Sequence, residues 1–168
     1  MIKAIVYTSN TGFTKKYAEI LSKETGINVY EFKEAKGRLN KNDEIIYMGW
    51  IMAGTIKGFE EARKRYNVKV VCAVGMGMAN EKQNKELIEK QKIEKQQFFY
   101  LQGGFDMNKL HGVYKFMMNC MKKFLVPTLE KKDDKTDSEI EYLNMIKNGK
   151  DCVKKENLDP VINWIENN

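Results

Sequence analysis

Ser9, Asn10, Thr11, Gly12, Phe13 and Thr14 place three hydroxyls, an amide and a single glycine between an apolar run and an amphipathic segment. Residues of these types at a helix start suit an anion. The first backbone N–H groups of a helix have no partner inside it, carry partial positive charge and can point at one bound oxyanion. Gly12 permits close backbone approach, while Ser9, Thr11 and Thr14 add neutral donors. A monophosphate can therefore be held without a paired lysine, with Asn10 adding backbone or side-chain contacts. The same residues also fit a plain cap, in which Ser9 or Thr11 satisfies the first turn and nothing is bound. Lys15 and Lys16 read as solvated helix positions. Neither the triphosphate pattern G-x-x-x-x-G-K-[ST] nor the dinucleotide pattern G-x-G-x-x-G is present here.

No set of acid, base and nucleophile accompanies this loop. His111 is the only histidine and reads as a surface residue. Cys72, Cys120 and Cys152 are odd in number, far apart and without a C-x-x-C pair, which suggests neither a disulfide framework nor a zinc site. Asp133, Asp134 and Asp137 lack the full calcium-loop spacing and read as a solvated turn. Any hard chemistry would then belong to a bound cofactor.

The elements that must position the loop follow from the pattern of the chain. Ile2 to Tyr7 is a β-branched, mostly apolar first strand; Tyr17, Ile20 and Leu21 mark a helix that Gly26 stops. Ile27 to Phe32 reads as a second strand, and the polar stretch 33–41 has room for one short helix. Glu44 to Met48 is a third strand, and Gly49 to Ile56 a loop opening a helix through Phe59, Ala62 and Tyr66. Val68 to Val74 is a fourth strand ending in Gly75 to Asn80, a charged helix runs from about Glu81 to Lys92, and Gln97 to Leu101 is a fifth strand ending at Gln102, Gly103 and Gly104. Five strands alternating with helices argue for a doubly wound α/β fold with a parallel sheet of order 2-1-3-4-5. Ligands of such sheets sit beyond the carboxyl ends of the strands, so the loops at Ser9, Gly49, Gly75 and Gln102 should converge on one crevice.

The spacing Ser-x-Thr-Gly-x-Thr directly after a first strand resembles the FMN phosphate loop of flavodoxins. The resemblance implies a flavodoxin-like fold and FMN, with the phosphate held by Ser9 to Thr14. It further implies that Trp50, Ile51, Met52, Ala53 and Gly54 line the isoalloxazine ring. Trp50, Met52 or Ile56 could make the stacking contact, and Trp50 could instead cover the edge of the core. Gly75, Met76, Gly77, Gln102 and Gly103 would offer backbone groups to the polar edge of the ring, although glycines there also serve as turn residues. A phosphoreceiver domain shares the strand order but needs an aspartate where this chain has Gly49.

A plain flavodoxin would run from its fifth strand into its last helix. Here the last helix begins only at Asp159 and Pro160, as cap and first residue, and about 50 residues intervene, too many for a structureless loop. Leu110, Val113, Tyr114, Met117, Cys120, Met121 and Phe124 repeat at helical spacing within a lysine-rich segment that Pro127 ends. Asp137 caps a further helix that stops at Gly149. The apolar stripe is expected to pack on the core; the alternatives are an anionic membrane or a redox partner. With its long segment after strand five, the chain is similar to the menaquinone-dependent protoporphyrinogen dehydrogenase branch of flavodoxin-like proteins, where that segment is tied to substrate access and membrane association.

Composition bounds the rest. The 168 residues, 42% hydrophobic and 31% charged, suit one domain over 1–168, with 105–154 as an inserted helical segment. The first residues read as a strand and not as a signal peptide, and no stretch reaches membrane-spanning length. A net charge of +6 and a pI near 9.0 fit an anionic substrate, an acidic partner or peripheral membrane contact through the basic helix 108–125. Lysines interleaved with glutamate and the lack of any recognisable module argue against nucleic acid. The expected protein is a cytoplasmic FMN-binding redox protein, working in electron transfer or as a quinone-linked oxidoreductase with a redox protein or quinone as partner. The alternatives are a protoporphyrinogen dehydrogenase-type enzyme and a cofactor-free partner-binding scaffold. If lysines surround the flavin, a cation about 10 Å from the ring, at an effective dielectric of about 20, favours the reduced anion by roughly 1.7 kcal/mol. That raises a one-electron potential by about 70 mV.

Overall fold

Alternation of side chains along two central strands organises the architecture. The computed structural model describes residues 1–78 and 80–168; Ala79, within the stretch Gly75 to Asn80 expected to close the fourth strand, lies outside the described residues. In chain order the elements are β1 (Ala4–Thr8), α1 (Phe13–Thr25), β2 (Val29–Glu31), α2 (Phe32–Arg38), β3 (Glu44–Met52), β4 (Thr55–Ile56), α3 (Phe59–Arg65) and β5 (Asn67–Gly75). There follow α4 (Glu81–Lys90), β6 (Gln97–Gln102), β7 (Gly104–Phe105), α5 (Gly112–Glu130), α6 (Asp137–Asn148), β8 (Lys150–Asp151) and α7 (Asp159–Glu166). Five parallel strands run in the order β2-β1-β3-β5-β6, the order expected, and β4 folds back on β3.

Because neighbours along a strand face opposite ways, β1 and β3 each feed two cores. Ala4, Val6, Ile45 and Tyr47 point to the side covered by α2, α3 and α4, where they meet Ala35, Phe59, Ala62 and Leu87. Ile5, Ile46 and Met48 point to the side covered by α1 and α7, among Tyr17, Leu21, Leu158 and Val161. Val70, Val71, Cys72 and Ala73 of β5 have no exposed surface at all. Burial pushes the Cys72 thiol well up, which leaves it an inert core residue.

Four local features differ from the sequence reading. The stretch Gly49–Met52 continues β3 instead of forming a loop, then turns at Ala53 and Gly54, with φ of 49° and 65°, into β4. Two positive φ values in a two-residue turn match the right-handed twist of a hairpin, so the β-forming residues on either side stay extended. Pro127 lies inside α5 and does not end it: the helix runs one more turn to Glu130, and the Thr128 hydroxyl donates to the Phe124 carbonyl at 2.8 Å. Thr136, one residue before Asp137, caps α6 through a reciprocal box with Glu139. Residues Lys155–Leu158 form a single 3-10 turn running directly into α7, so Leu158 holds the cap position and Asp159 is the first helical residue.

The long segment after β6 leaves and rejoins the core at one place. Gly104 and Phe105 pair antiparallel with Asp151 and Lys150, and the Cys152 amide donates to the Gly103 carbonyl at 2.8 Å. A two-residue ladder is too short to announce itself in a sequence. Beside it, the buried Tyr17 hydroxyl donates to the Gln102 carbonyl at 2.5 Å and accepts from Asn157 Nδ2 at 2.6 Å, joining α1, β6 and the approach to α7. Burial raises the pKa of Tyr17, which keeps this donor protonated.

A second fully buried phenol ties the two strand ends nearest the N-terminal loop. The Tyr47 hydroxyl donates to the Lys57 carbonyl at 2.6 Å and shares a 2.8 Å hydrogen bond with the Thr8 hydroxyl. Tyr47→Phe keeps the ring but orphans both groups, and should lower unfolding free energy by about 1–3 kcal/mol in a urea titration. The Lys132 ammonium and the Thr136 amide draw the Glu139 carboxyl down to about 2. Its folded pKa lies below that of an unfolded glutamate, so this contribution is present above about pH 4.3 and is lost as pH falls toward 2. Protection of the first-turn amides of α6, corrected for the intrinsic exchange rate, should fall through that window, and Glu139→Gln should remove the dependence.

Candidate functional site

All the parallel strands of the sheet end at one edge, and a cavity of about 400 Å³ lies there. Its walls come from five places. Asn10, Thr11, Phe13 and Thr14 approach from the end of β1, and Trp50, Ile51, Met52 and Ala53 from β3 and its turn. Val74, Gly75 and Met76 come from the end of β5, and Gly103, Gly104 and Phe105 from beyond β6. Leu110, Tyr114, Met117, Met118, Met121 and Tyr142 close it from the inserted segment.

Eleven residues singled out in the sequence therefore share one cavity, while Ser9, Gly12, Gly54, Gly77 and Gln102 stand just behind its wall. The Ser9 hydroxyl accepts from the Gly12 amide at 3.1 Å. Gly12, with φ of 90°, occupies the cap position of α1, and no side chain caps that helix. The amides of its first turn are thus available to an anion. Thr14, only 1% exposed, lies at this start. Gly54 faces away from the cavity toward Lys90. The Gly77 carbonyl accepts from the Tyr100 hydroxyl at 2.7 Å, and burial pushes that phenol up to about 12, so it remains a donor. The Gln102 carbonyl is already engaged by Tyr17.

Two glycines set the shape of the floor. A Cβ on Gly103 would meet Val74 Cγ1 at 2.6 Å and Phe13 Cβ at 3.2 Å, and its own amide donates to the Gly75 carbonyl at 2.7 Å. A Cβ on Gly75 would meet the Tyr100 hydroxyl at 2.3 Å. Gly103 therefore sits too close to Val74 and Phe13 for a side chain, whereas at Gly75 the obstacle is the Tyr100 phenol.

The cavity wall contains no charged side chain, so the condition on which a raised flavin potential was argued, lysines around the ring, is not met there. Three ammonium groups come near the cavity's edge: Lys16 and Lys109, at 5.9 Å and 5.3 Å from the Phe13 ring centroid, and Lys90, which donates to the Ala53 carbonyl at 3.0 Å. Lys16 is paired with Asp151, and Lys109 lies 3.7 Å from Asp106. Each therefore has a carboxylate beside it that offsets its field.

The roof is the part the sequence reading missed. The apolar stripe of α5 was expected to pack on the core, yet α5 buries no residue completely. Its Tyr114, Met117, Met118 and Met121 line the cavity, Tyr114 and Met118 also packing on a small cluster of Phe105, Leu110 and Met145, and Tyr114 meets Trp50 edge-to-face with centroids 5.3 Å apart. Trp50 thus joins the hairpin to the roof. Helical spacing identified this stripe, and its richness in methionine and tyrosine was the available sign of a ligand wall in place of a core face. Phe105 and Tyr142 carried no such signal. His111 caps α5 from an exposed position, away from the cavity. Among the described residues no group of three or more His, Cys, Asp or Glu is gathered as a metal site would need, and no helix is long and apolar enough to cross a membrane.

A family profile described as a flavodoxin domain matches residues 4–157. No curated protein matches the chain.

The tight floor yields a direct test. Gly103→Ala should force Val74 toward the cavity and lower stability by about 1–3 kcal/mol, the usual cost of overpacking. Paired urea titrations of this variant and the parent protein measure the difference.

Proposed function

The chain belongs to the flavodoxin family, and on that premise we propose that it is an FMN-binding redox protein acting as an oxidoreductase on a largely hydrophobic organic molecule, a quinone or a tetrapyrrole such as protoporphyrinogen. The observation that carries this reading is the continuity of an uncapped helix start with a roofed, uncharged cavity. FMN has one phosphate and one flat, mostly apolar ring. The residues present fit both: the amides at the start of α1 with Ser9, Thr11 and Thr14 would hold the phosphate, and Trp50, Met52, Gly75 and Gly103 would border the ring. When bound, FMN supplies one- and two-electron chemistry that no side chain of this chain can.

The roles of the chain's own residues follow from their chemistry. Gly75 and Gly103 leave room for Tyr100, Val74 and Phe13 beneath the cavity, and Tyr100 holds the loop after β5 through Gly77. Tyr114, Met118 and Met121 exclude water above the ring and offer polarizable, adaptable contact to a second apolar molecule. A protein that only shuttles electrons has no need of such a roof, which is why the enzyme reading is preferred to simple electron transfer. The cofactor-free scaffold leaves the uncapped amides and the cavity without a purpose.

Fluorescence titration tests the cofactor. Thr11→Ala and Thr14→Ala should each weaken FMN binding about ten- to a hundredfold, the worth of one hydrogen bond to a charged phosphate. Lys15→Ala should leave it within about threefold, since an exposed lysine is worth little there. Wild-type protein that fails to quench FMN would remove the reading. For the reaction, FMN-loaded protein given protoporphyrinogen and a quinone should consume substrate faster than the same concentration of free FMN, and equal rates would leave the carrier reading alone.

A further inference from the structure

The cavity gathers its polar side chains at one end. Away from Asn10, Thr11 and Thr14, the only N–H and O–H groups on its lining side chains are the Trp50 indole and the phenols of Tyr114 and Tyr142. Trp50 and Tyr114 have their rings set edge-to-face against each other. Tyr142 belongs to α6 instead. Met145 and Ile146, each 1% exposed, anchor that helix, and Tyr142 lies one turn ahead of them on the same face. The capping box of Thr136 and Glu139 and the 2.6 Å ion pair of Lys150 with Glu141 fix the turn from which it projects. Among the described residues the Tyr142 hydroxyl has no hydrogen-bond partner, and Gln96 Oε1 is the only side-chain polar atom both sealed and unpaired. The phenol oxygen therefore stays within reach of a ligand. Burial raises its pKa, so it remains protonated and acts as a donor, not as a base.

We infer that the Tyr142 phenol is the donor that seats one carbonyl oxygen of a neutral quinone beneath the roof, and that it separates a quinone from an apolar molecule of the same shape. A donor left without a partner in an apolar wall has lost water and gained nothing for it, and an acceptor on a ligand restores the missing bond. The wall has no charged side chain, so a neutral acceptor suits it, whereas a carboxylate laid against it would be an uncompensated charge. A quinone carbonyl is neutral, projects from the rim of a flat ring and accepts such a bond in the ring plane. A tetrapyrrole such as protoporphyrinogen offers N–H groups to the same hydroxyl. Its carboxylates, however, would have to stay at the cavity's edge, where Lys16 and Lys109 are already paired. That the quinone is a reactant rests on the FMN reading; that it is seated at Tyr142 rests on the cavity alone.

Isothermal titration calorimetry of the oxidised full chain with excess FMN tests this with duroquinone and with durene, the same methylated ring without the carbonyls. Wild type should bind duroquinone at least about tenfold more tightly than durene, roughly the worth of one hydrogen bond. Tyr142→Phe keeps the ring and its packing. It should erase the preference by weakening duroquinone about tenfold while leaving durene within about threefold. The infrared carbonyl band of bound duroquinone should lie at lower frequency in the wild type than in the variant. Failure of the wild type to bind duroquinone overturns the proposal, as does a preference that survives Tyr142→Phe or is lost in Tyr114→Phe alone. An unshifted carbonyl band in the wild type overturns it too, whether or not the variant folds. FMN fluorescence titration of the same samples separates the two claims. FMN binding weakened about tenfold by Tyr142→Phe gives the phenol to the flavin and removes the seat. A Tyr142-dependent duroquinone site in a chain that does not quench FMN supports the seat and removes the redox reading, and FMN binding without such a site removes the seat alone.

Discussion

Parallel strands cannot be joined by tight turns, so each must be followed by a crossover that carries the chain back across the sheet before the next begins. In this protein that constraint delivers the carboxyl ends of β1, β3, β5 and β6 to one edge, where residues from Asn10 to Gly103 meet. Every site feature described above depends on the pairing being kept in register. Val6 lies beside Tyr47, Tyr47 beside Val71 and Ala73 beside Tyr100. Slipping one strand by a residue would turn its apolar set to the wrong core and carry its terminal loop out of line with the others. Hydrogen bonds from Tyr47 and Tyr100 then fix the loops themselves, one near Thr8 and one at Gly77.

The inserted segment changes what the shared edge can do. Without it the edge would be a shallow rim open to water; with it, α5 and Tyr142 of α6 convert the rim into a chamber without charge. The conversion is held mainly from below, by the ladder of β7 and β8 and by the bonds around Tyr17, because α5 itself contributes no fully buried side chain. A helix whose contacts are the Trp50–Tyr114 pair, α6 and a small cluster of Phe105, Leu110 and Met145 is less constrained than one buried in the main core.

Much of this was legible in the sequence. The strand order follows from five apolar runs separated by helical periods, and the loop from Ser9 to Thr14 could be placed because hydroxyls, a glycine and a strand end coincide there. What escaped has a common cause. The sequence period shows which residues share a helix face but not what lies opposite, so the stripe of α5 read as core-facing when it faces a cavity. The hairpin at Ala53 and Gly54 was read as loop because alanine rarely takes a positive φ, and Gly54 alone does not mark a two-residue turn. Which lysines stand near the cavity could not be read from the sequence either, because Asp151 and Asp106, the partners of Lys16 and Lys109, come close only in the fold.

The excursion from Gly104 to Asp151 begins and ends within one hydrogen bond of itself, Cys152 to Gly103. Its footprint on the rest of the molecule is accordingly that of a side branch grafted onto a continuous trunk. Such a graft can be lengthened, trimmed or exchanged without redrawing the strands beneath it, so the roof of the cavity can change size while the strand ends that form its floor stay where they are.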